Sequence, residues 1–182
     1  MTPVTNRPTE IAMPAAALKA LRRSLTAELG DDVAARVLRS AGHDAGDAFF
    51  QILSSDAAGR AIRDVDAASF WRRFAQLFST RGWGTLQHSD VHPGVAVLAA
   101  ADWSEADSAG VVARPSCYFT TGLLANVLGK VANGDVAVME VECRSHGDAQ
   151  CRFLFGSPEA LRSVYDMLLH GATTESAITQ LA

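Results

Sequence analysis

Three cysteines and one glutamate give this chain the spacing of a metal site. Cys117 is followed after twenty-two residues by Glu140, after two more by Cys143 and after seven more by Cys151, and the 182 residues include no other cysteine. Thiolates and a carboxylate form a four-coordinate ligand set suited to Zn²⁺, with Zn–S bonds of about 2.3 Å. We therefore interpret these four residues as one metal site.

Two predicted strands would carry three of the four ligands. Residues 136–142 alternate like a half-buried strand, and residues 151–155 have the pattern of its antiparallel return. A turn at residues 145–148 would then bring Cys143 close to Cys151, with the glutamate just behind them on the first strand.

Cys117 would come from the start of a helix. Pro115 and Ser116 both suit the first positions of a helix, and residues 116–131 continue as a helical segment. A thiolate is stabilised near a helix N-terminus by the helix dipole. A bound metal would therefore join a helix start to a hairpin.

The residues alone leave three alternatives open. Buried cysteines often serve simply as small hydrophobic side chains. A disulfide between Cys143 and Cys151 is geometrically conceivable across the hairpin, although disulfides are rare in reducing compartments. His146 is a rival fourth ligand, because Cys143-x-x-His146 is also a plausible chelating pair.

The segment from Arg81 to Phe155 resembles the 4-vinyl reductase (V4R) domain family. The similar motifs are Gly82-Trp-Gly84, Asp102-Trp-Ser-Glu105 and Glu140-Val-Glu-Cys-Arg-Ser-His-Gly-Asp-Ala-Gln-Cys151. In the aromatic-sensing members, zinc is held by a cysteine on a helix and by a Glu-x-x-Cys-x7-Cys hairpin. The resemblance implies that the zinc ligands are Cys117, Glu140, Cys143 and Cys151, which favours Glu140 over His146.

The same resemblance implies a stand-alone bacterial module that binds a small molecule and forms a homodimer. The phenol-sensing members pair a histidine with a tryptophan on the phenol hydroxyl. Residues 70–78 of this chain contain no histidine. Phenol itself is therefore not the expected ligand.

Length and charge narrow the classes of protein. A chain of 182 residues with 48% hydrophobic side chains fits one domain with a single sizeable core. The formal net charge of −4 does not favour binding to nucleic acid, and the pair Arg22-Arg23 is expected on the solvated side of a helix. The sequence shows neither a secretory signal nor an apolar run of membrane-spanning length, so we expect a cytoplasmic protein without a membrane span.

The order of elements predicts an α+β fold, with an antiparallel sheet of about four strands, packed helices and an N-terminal helical section. We expect residues 1–12 to be a flexible lead and residues 13–171 to be a single 4-vinyl-reductase-like domain. Residues 172–182 are expected to form a C-terminal tail or a short helix.

Local patterns add detail to this fold. A first hairpin is predicted to pair residues 85–89 with residues 95–101. Gly42 and Gly46 lie four apart within a predicted helix, which indicates close packing against another backbone. One apolar face of the first helix is formed by Leu18, Leu21, Leu25 and Leu29.

No catalytic motif accompanies the metal site, since the sequence lacks a glycine-rich phosphate loop, a Gly-x-Ser-x-Gly elbow and a His-Glu-x-x-His helix. We therefore expect a sensor or carrier of a hydrophobic or aromatic small molecule, with zinc supporting the pocket and any signal passing to a separate protein. The alternatives are an enzyme or tetrapyrrole carrier of (bacterio)chlorophyll-type metabolism and a ligand-free interaction subunit. The predicted pocket walls are Phe74, Phe78, Trp83, Tyr118, Phe119 and Leu123.

Overall fold

A computed structural model of the chain describes residues 8–55, 61–107 and 112–181. These residues form six α-helices and one four-stranded antiparallel sheet, which confirms the predicted α+β class with its N-terminal helical section. The helices are α1 (Ala15–Leu29), α2 (Asp31–Ser55), α3 (Ala67–Ser79), α4 (Tyr118–Ala132), α5 (Pro158–Leu169) and α6 (Thr174–Thr179). Of the predicted lead, residues 1–7 lie outside the described residues, and residues 8–14 precede α1 without regular secondary structure.

The sheet consists of two hairpins that meet along their second strands. Its strands are β1 (Gln87–His92), β2 (Val95–Ala100), β3 (Ala137–Glu142) and β4 (Cys151–Gly156), in the order β1-β2-β4-β3. The hairpin of β3 and β4 agrees with the prediction. The first hairpin begins two residues later than predicted, because the Thr85 amide donates to the Asp102 carboxylate at 2.7 Å and not to a strand partner.

The two faces of the sheet are covered by different helices. Val97 and Leu154 pack with α5 and α6 on one face. Leu98 and Phe153 pack on the other face within the core that α2, α3 and α4 share, and the three cysteines belong to this second core. The metal ligands therefore lie on the side of the sheet that faces α4.

Glycines bring α2 and α4 into backbone contact, as their spacing predicted. A Cβ on Gly42 would lie 2.0 Å from the carbonyl oxygen of Phe119, and one on Gly122 would lie 2.0 Å from that of Arg39. A Cβ on Gly46 would meet Asn126 at 2.6 Å. This contact fixes the first turns of α4, which start next to Cys117.

Helix α1 departs from its predicted amphipathic packing. Leu21 and Leu29 are 51% and 46% exposed, whereas Arg22 is only 7% exposed. The expectation that Arg22 lies in solvent is therefore wrong, because its guanidinium donates a hydrogen bond to Ser116, 94 residues later in the chain. Within the ranges described above, no helix has the length and apolar character needed to cross a membrane.

Candidate metal centre and aromatic cleft

The four predicted metal ligands converge on one point. One donor atom from each of Cys117, Glu140, Cys143 and Cys151 lies within 4.8 Å of all the others. The sulfur of Cys117 is 3.8 Å from that of Cys143 and 3.8 Å from that of Cys151, and all three cysteines are free and buried. Two thiolates on a tetrahedral zinc with bonds of about 2.3 Å are also about 3.8 Å apart. The sulfurs thus have the separation that zinc coordination requires.

Glu140 supplies the fourth donor and retains a free oxygen for it. Its Oε2 accepts a hydrogen bond from the Cys117 amide at 2.8 Å. Its Oε1 is buried, and no hydrogen bond reaches it from the described residues. A buried carboxylate oxygen without a partner is costly, and a cation at the centre of the cluster would satisfy it.

His146 does not join the cluster. Its ring is 43% exposed, and its Nδ1 lies 3.3 Å from the Asp148 carboxylate. Of the two rival fourth ligands, the structure therefore brings Glu140 to the sulfurs and leaves the histidine at the surface.

Local backbone contacts hold the cysteines in position. Cys117 is the N-cap of α4, which begins at Tyr118, two residues later than the latest predicted start at Ser116. In the connection between β3 and β4, the Cys143 amide donates to the Asp148 carboxylate at 2.8 Å, and the His146 amide donates to the Cys143 carbonyl at 2.8 Å. Gly147 closes this turn with a φ of +105°, a conformation that L-residues other than glycine rarely adopt.

The electrostatics of the cluster favour a cation. Burial raises the pKa of the Glu140 carboxyl, and the adjacent Cys143 raises it further. Burial likewise raises the pKa of the Cys117 thiol, and its contacts with the other two sulfurs raise that pKa further. The contacts with the other two sulfurs instead lower the pKa of Cys143. The four groups cannot all ionise together without a counter-charge, because their negative charges repel in a poorly solvated site. A divalent metal would supply that charge and displace the protons.

A second buried network holds the start of α4 and was not predicted from the sequence. The Glu105 carboxylate accepts hydrogen bonds from the amides of Phe119 and Thr120 at 3.0 and 2.8 Å and from the Thr120 hydroxyl. Trp103 Nε1 donates to the same hydroxyl oxygen at 2.9 Å. Burial raises the pKa of Glu105 to about 7. In the sequence, the motif Asp102-Trp-Ser-Glu105 is the pattern that could have indicated this network.

Three half-buried aromatic rings from separate elements pack against one another beside this network. We call this cluster the aromatic cleft, after the ligand site proposed for it below. Trp83 stacks on Phe119 of α4 with ring centroids 5.8 Å apart and an interplanar angle of 8°. Phe49 of α2 contacts Trp83 edge-on at 6.2 Å. The fully buried rings of Phe78 and Trp103 lie behind them, at 5.5 Å from Phe49 and 5.8 Å from Trp83 respectively.

The other predicted wall residues have different surroundings. Phe74 and Leu123 are fully buried in the core and do not reach the surface. The Tyr118 ring lies below the Arg39 guanidinium, 5.4 Å from the cation to the centroid. Two surface grooves of about 610 and 450 Å³ are lined by other residues. Among the six predicted residues, Trp83 stacks on Phe119, and Phe74 contacts Phe78 with ring centroids 5.2 Å apart.

A histidine also packs on the aromatic helix α3, although none was found within residues 70–78. His88 of β1 stacks on Trp71 at 3.7 Å with an interplanar angle of 10°. Its Nε2 is buried without a hydrogen bond from the described residues, and the Asp90 carboxylate lies 3.4 Å away. Burial lowers the pKa of this imidazole.

Comparison with known proteins supports a family and a fold. Residues 97–157 match the V4R domain. An uncharacterized protein of Methanocaldococcus jannaschii is 28% identical over 92 residues, which are 50% of this chain and 53% of the relative, so the match spans about half the length of that relative.

Two solved structures share the fold. The phenol-responsive sensory domain of the transcription activator PoxR, solved with phenol, has a TM-score of 0.69 at 19% identity over 90% of this chain and 84% of the other. A vinyl-4-reductase family protein from Methanocaldococcus jannaschii has a TM-score of 0.51 at 18% identity over 83% of this chain and 84% of the other. At these identities the likeness is one of fold.

Proposed function

We propose that this chain, whose residues 97–157 match the V4R domain, is a sensor or carrier of a hydrophobic or aromatic small molecule. The observation that carries the proposal is the aromatic cleft, where Phe49, Trp83 and Phe119 present half-buried rings from three elements in a fold shared with a phenol-responsive sensory domain. Flat apolar ligands bind between such rings because stacking adds to the gain from burial.

In this proposal a ligand enters by displacing the Trp83 ring, which in the structure stacks on Phe119. The neighbours of Trp83, Gly82 and Gly84, both have positive φ, at +75° and +133°, and the Trp83 carbonyl accepts a hydrogen bond from the Ser104 amide at 2.7 Å. The backbone is thus held in a conformation that favours glycine on each side. A rotation of the Trp83 side chain would separate it from Phe119 without breaking this hydrogen bond.

The metal in this proposal is a structural zinc ion. Cys117, Glu140, Cys143 and Cys151 would fill the four positions of a tetrahedral site, whereas a catalytic zinc keeps one position open for water. Zinc would join the first turn of α4 to the hairpin of β3 and β4. Because Phe119 lies two residues after Cys117, the same bond would hold one wall of the cleft.

The test combines ligand detection with a matched pair of tryptophan variants. Native mass spectrometry of the purified protein, together with elemental analysis, should show one zinc per chain and a retained aromatic molecule. A titration with phenol, indole and 1-naphthol by calorimetry then compares Trp83→Leu with Trp71→Leu. We expect Trp83→Leu to weaken binding about tenfold, because a lost stacking contact of up to about 1.5 kcal/mol changes affinity by that factor.

The control variant locates the site. Trp71→Leu removes an indole ring from α3, outside the cleft. Ligand affinity within about threefold of wild type in this variant supports binding at the cleft. Loss of binding in Trp71→Leu alone would place the ligand beside His88 and make the cleft assignment wrong. Equal affinity in both variants and wild type would remove the proposal.

A ligand-free interaction subunit is the second candidate, because three of the predicted wall residues, Phe74, Phe78 and Leu123, are buried in the core. This candidate predicts that the purified protein retains no small molecule and that phenol, indole and 1-naphthol give no heat of binding. A coloured preparation would instead favour the tetrapyrrole reading. The homodimer and the separate signalling protein stay predictions, and light scattering of the purified chain tests the first of them.

A further inference from the structure

Helix α1 is attached to the domain through a buried charge. The Arg22 guanidinium donates to the Ser116 hydroxyl at 2.8 Å and to the Ser116 carbonyl at 3.4 Å. Ser116 immediately precedes Cys117 in the chain. The contact that buries Arg22 is therefore made next to a candidate metal ligand, 94 residues away in sequence.

This buried cation lacks a directly paired anion among the described residues. Ser116 is neutral, and ion pairs in the structure involve the neighbouring Arg23 with Asp107 but not Arg22. Glu105 is near enough that the charge of Arg22 lowers its pKa, although burial has the larger and opposite effect. A buried charge without compensation costs several kcal/mol, so a further negative group is expected nearby.

The metal centre supplies that negative charge. Three thiolates, one carboxylate and one divalent cation carry a formal charge of about −2. The Ser116 oxygen lies 3.9 Å from the sulfur of Cys143. The hydroxyl can thus accept a hydrogen bond from Arg22 and donate its own proton to the Cys143 thiolate, which links the guanidinium to the cluster.

From these contacts we propose that Arg22 is a positioning residue of the metal centre and that it couples the docking of α1 to metal occupancy. The inference rests on the zinc site proposed above. With metal bound, the anionic cluster holds the guanidinium and α1 stays docked. With metal removed, coordination no longer fixes Cys143 and the Ser116 hydroxyl that joins it to Arg22, and α1 detaches more readily. By linkage, docking of α1 raises metal affinity by the same factor by which metal favours docking.

The test compares Arg22→Met with Arg23→Met in the full chain. Both variants remove one guanidinium from α1, but Arg23 is 61% exposed and pairs with Asp107 at the surface. Zinc affinity is measured by competition with a chromophoric chelator, and docking of α1 by amide hydrogen exchange. We expect Arg22→Met to weaken zinc binding at least tenfold, as is typical of residues that support metal ligands. Arg23→Met should stay within about threefold of wild type.

Hydrogen exchange gives the second readout. Amides of α1 should exchange faster in zinc-free wild type and in zinc-bound Arg22→Met than in zinc-bound wild type. If Arg22→Met does not fold, Ser116→Ala removes the link to Cys143 and should show the same two changes. Equal zinc affinity and equal α1 exchange in the Arg22 or Ser116 variant and in Arg23→Met would overturn this inference alone. Wild-type protein that binds no zinc would overturn both the inference and the metal site.

Discussion

Replacing Gly42 with alanine tests the contact that positions both the metal centre and the cleft. The new Cβ would lie 2.0 Å from the Phe119 carbonyl oxygen and 2.8 Å from its carbon, whereas ordinary contacts begin at 3.4 Å. Because the opposing atoms belong to the backbone, no rotamer change relieves the clash. Helices α2 and α4 must therefore move apart by about 1.4 Å at this point.

Two opposing effects set the change in the free energy of unfolding that we expect for Gly42→Ala. Overpacking at a close contact costs about 1–3 kcal/mol, and sometimes more. Alanine is about 1 kcal/mol better than glycine within a helix, which offsets part of that cost. We expect a net loss of about 2 kcal/mol in the free energy of unfolding, or about 4–8 °C in Tm for a chain of this size. Zinc affinity should also fall more than tenfold, because metal sites tolerate ligand displacements of only about 0.2 Å.

Gly134→Ala is the matched control for this substitution. A Cβ on Gly134 would meet no atom within 4 Å. The control should therefore be neutral or stabilise the protein by up to about 1 kcal/mol through its unfolded state. Urea unfolding with zinc present, followed by a chelator competition titration, measures both quantities. Equal stability and zinc affinity in Gly42→Ala and Gly134→Ala would refute the packing argument.

Two further predictions concern buried acids. Cys151→Ser should lose most of its zinc by elemental analysis, and a chelator should lower the Tm of wild type but not of the variant; full occupancy with an unchanged Tm would exclude Cys151 as a ligand. Burial raises the pKa of Glu105 from 4.5 to about 7. The stability that this group contributes should therefore be fully present below pH 4.5, and about 3 kcal/mol of it should be lost as pH rises through 7. In zinc-loaded protein, the stability of wild type relative to Glu105→Gln should therefore fall between pH 5 and 8, and a constant difference would contradict the raised pKa.

Features set by neighbouring residues could be predicted from the sequence. Asp66 and Ser157 are of the residue types that favour the N-cap of a helix, and their side chains accept hydrogen bonds from the amides of Ser69 and Ala160 at the starts of α3 and α5. The cysteine hairpin was also predictable, because a tight connection between paired strands brings Cys143 and Cys151 together whatever the rest of the fold does. Local chemistry determines each of these features.

Features set by distant partners could not be predicted. Arg22 has the sequence context of a surface residue, and its burial depends on Ser116, 94 positions later. Val37 of α2 is apolar but 41% exposed, and α4 packs closely against α2 at Gly42 and Gly46. Hydrophobic periodicity does not mark a helix face on which two backbones touch.

The positions of the cysteines along the chain have a consequence for folding. Cys117 precedes Cys143 by 26 residues and Cys151 by 34, so a metal that binds all three closes loops that contain α4 and β3. Closing these loops in the unfolded chain costs conformational entropy, so the metal binds the folded chain more tightly than the unfolded one. Above the dissociation constant, each tenfold increase in free metal would add about 1.4 kcal/mol to stability. The resistance of this domain to unfolding would then depend on the metal supply around it as well as on its own packing.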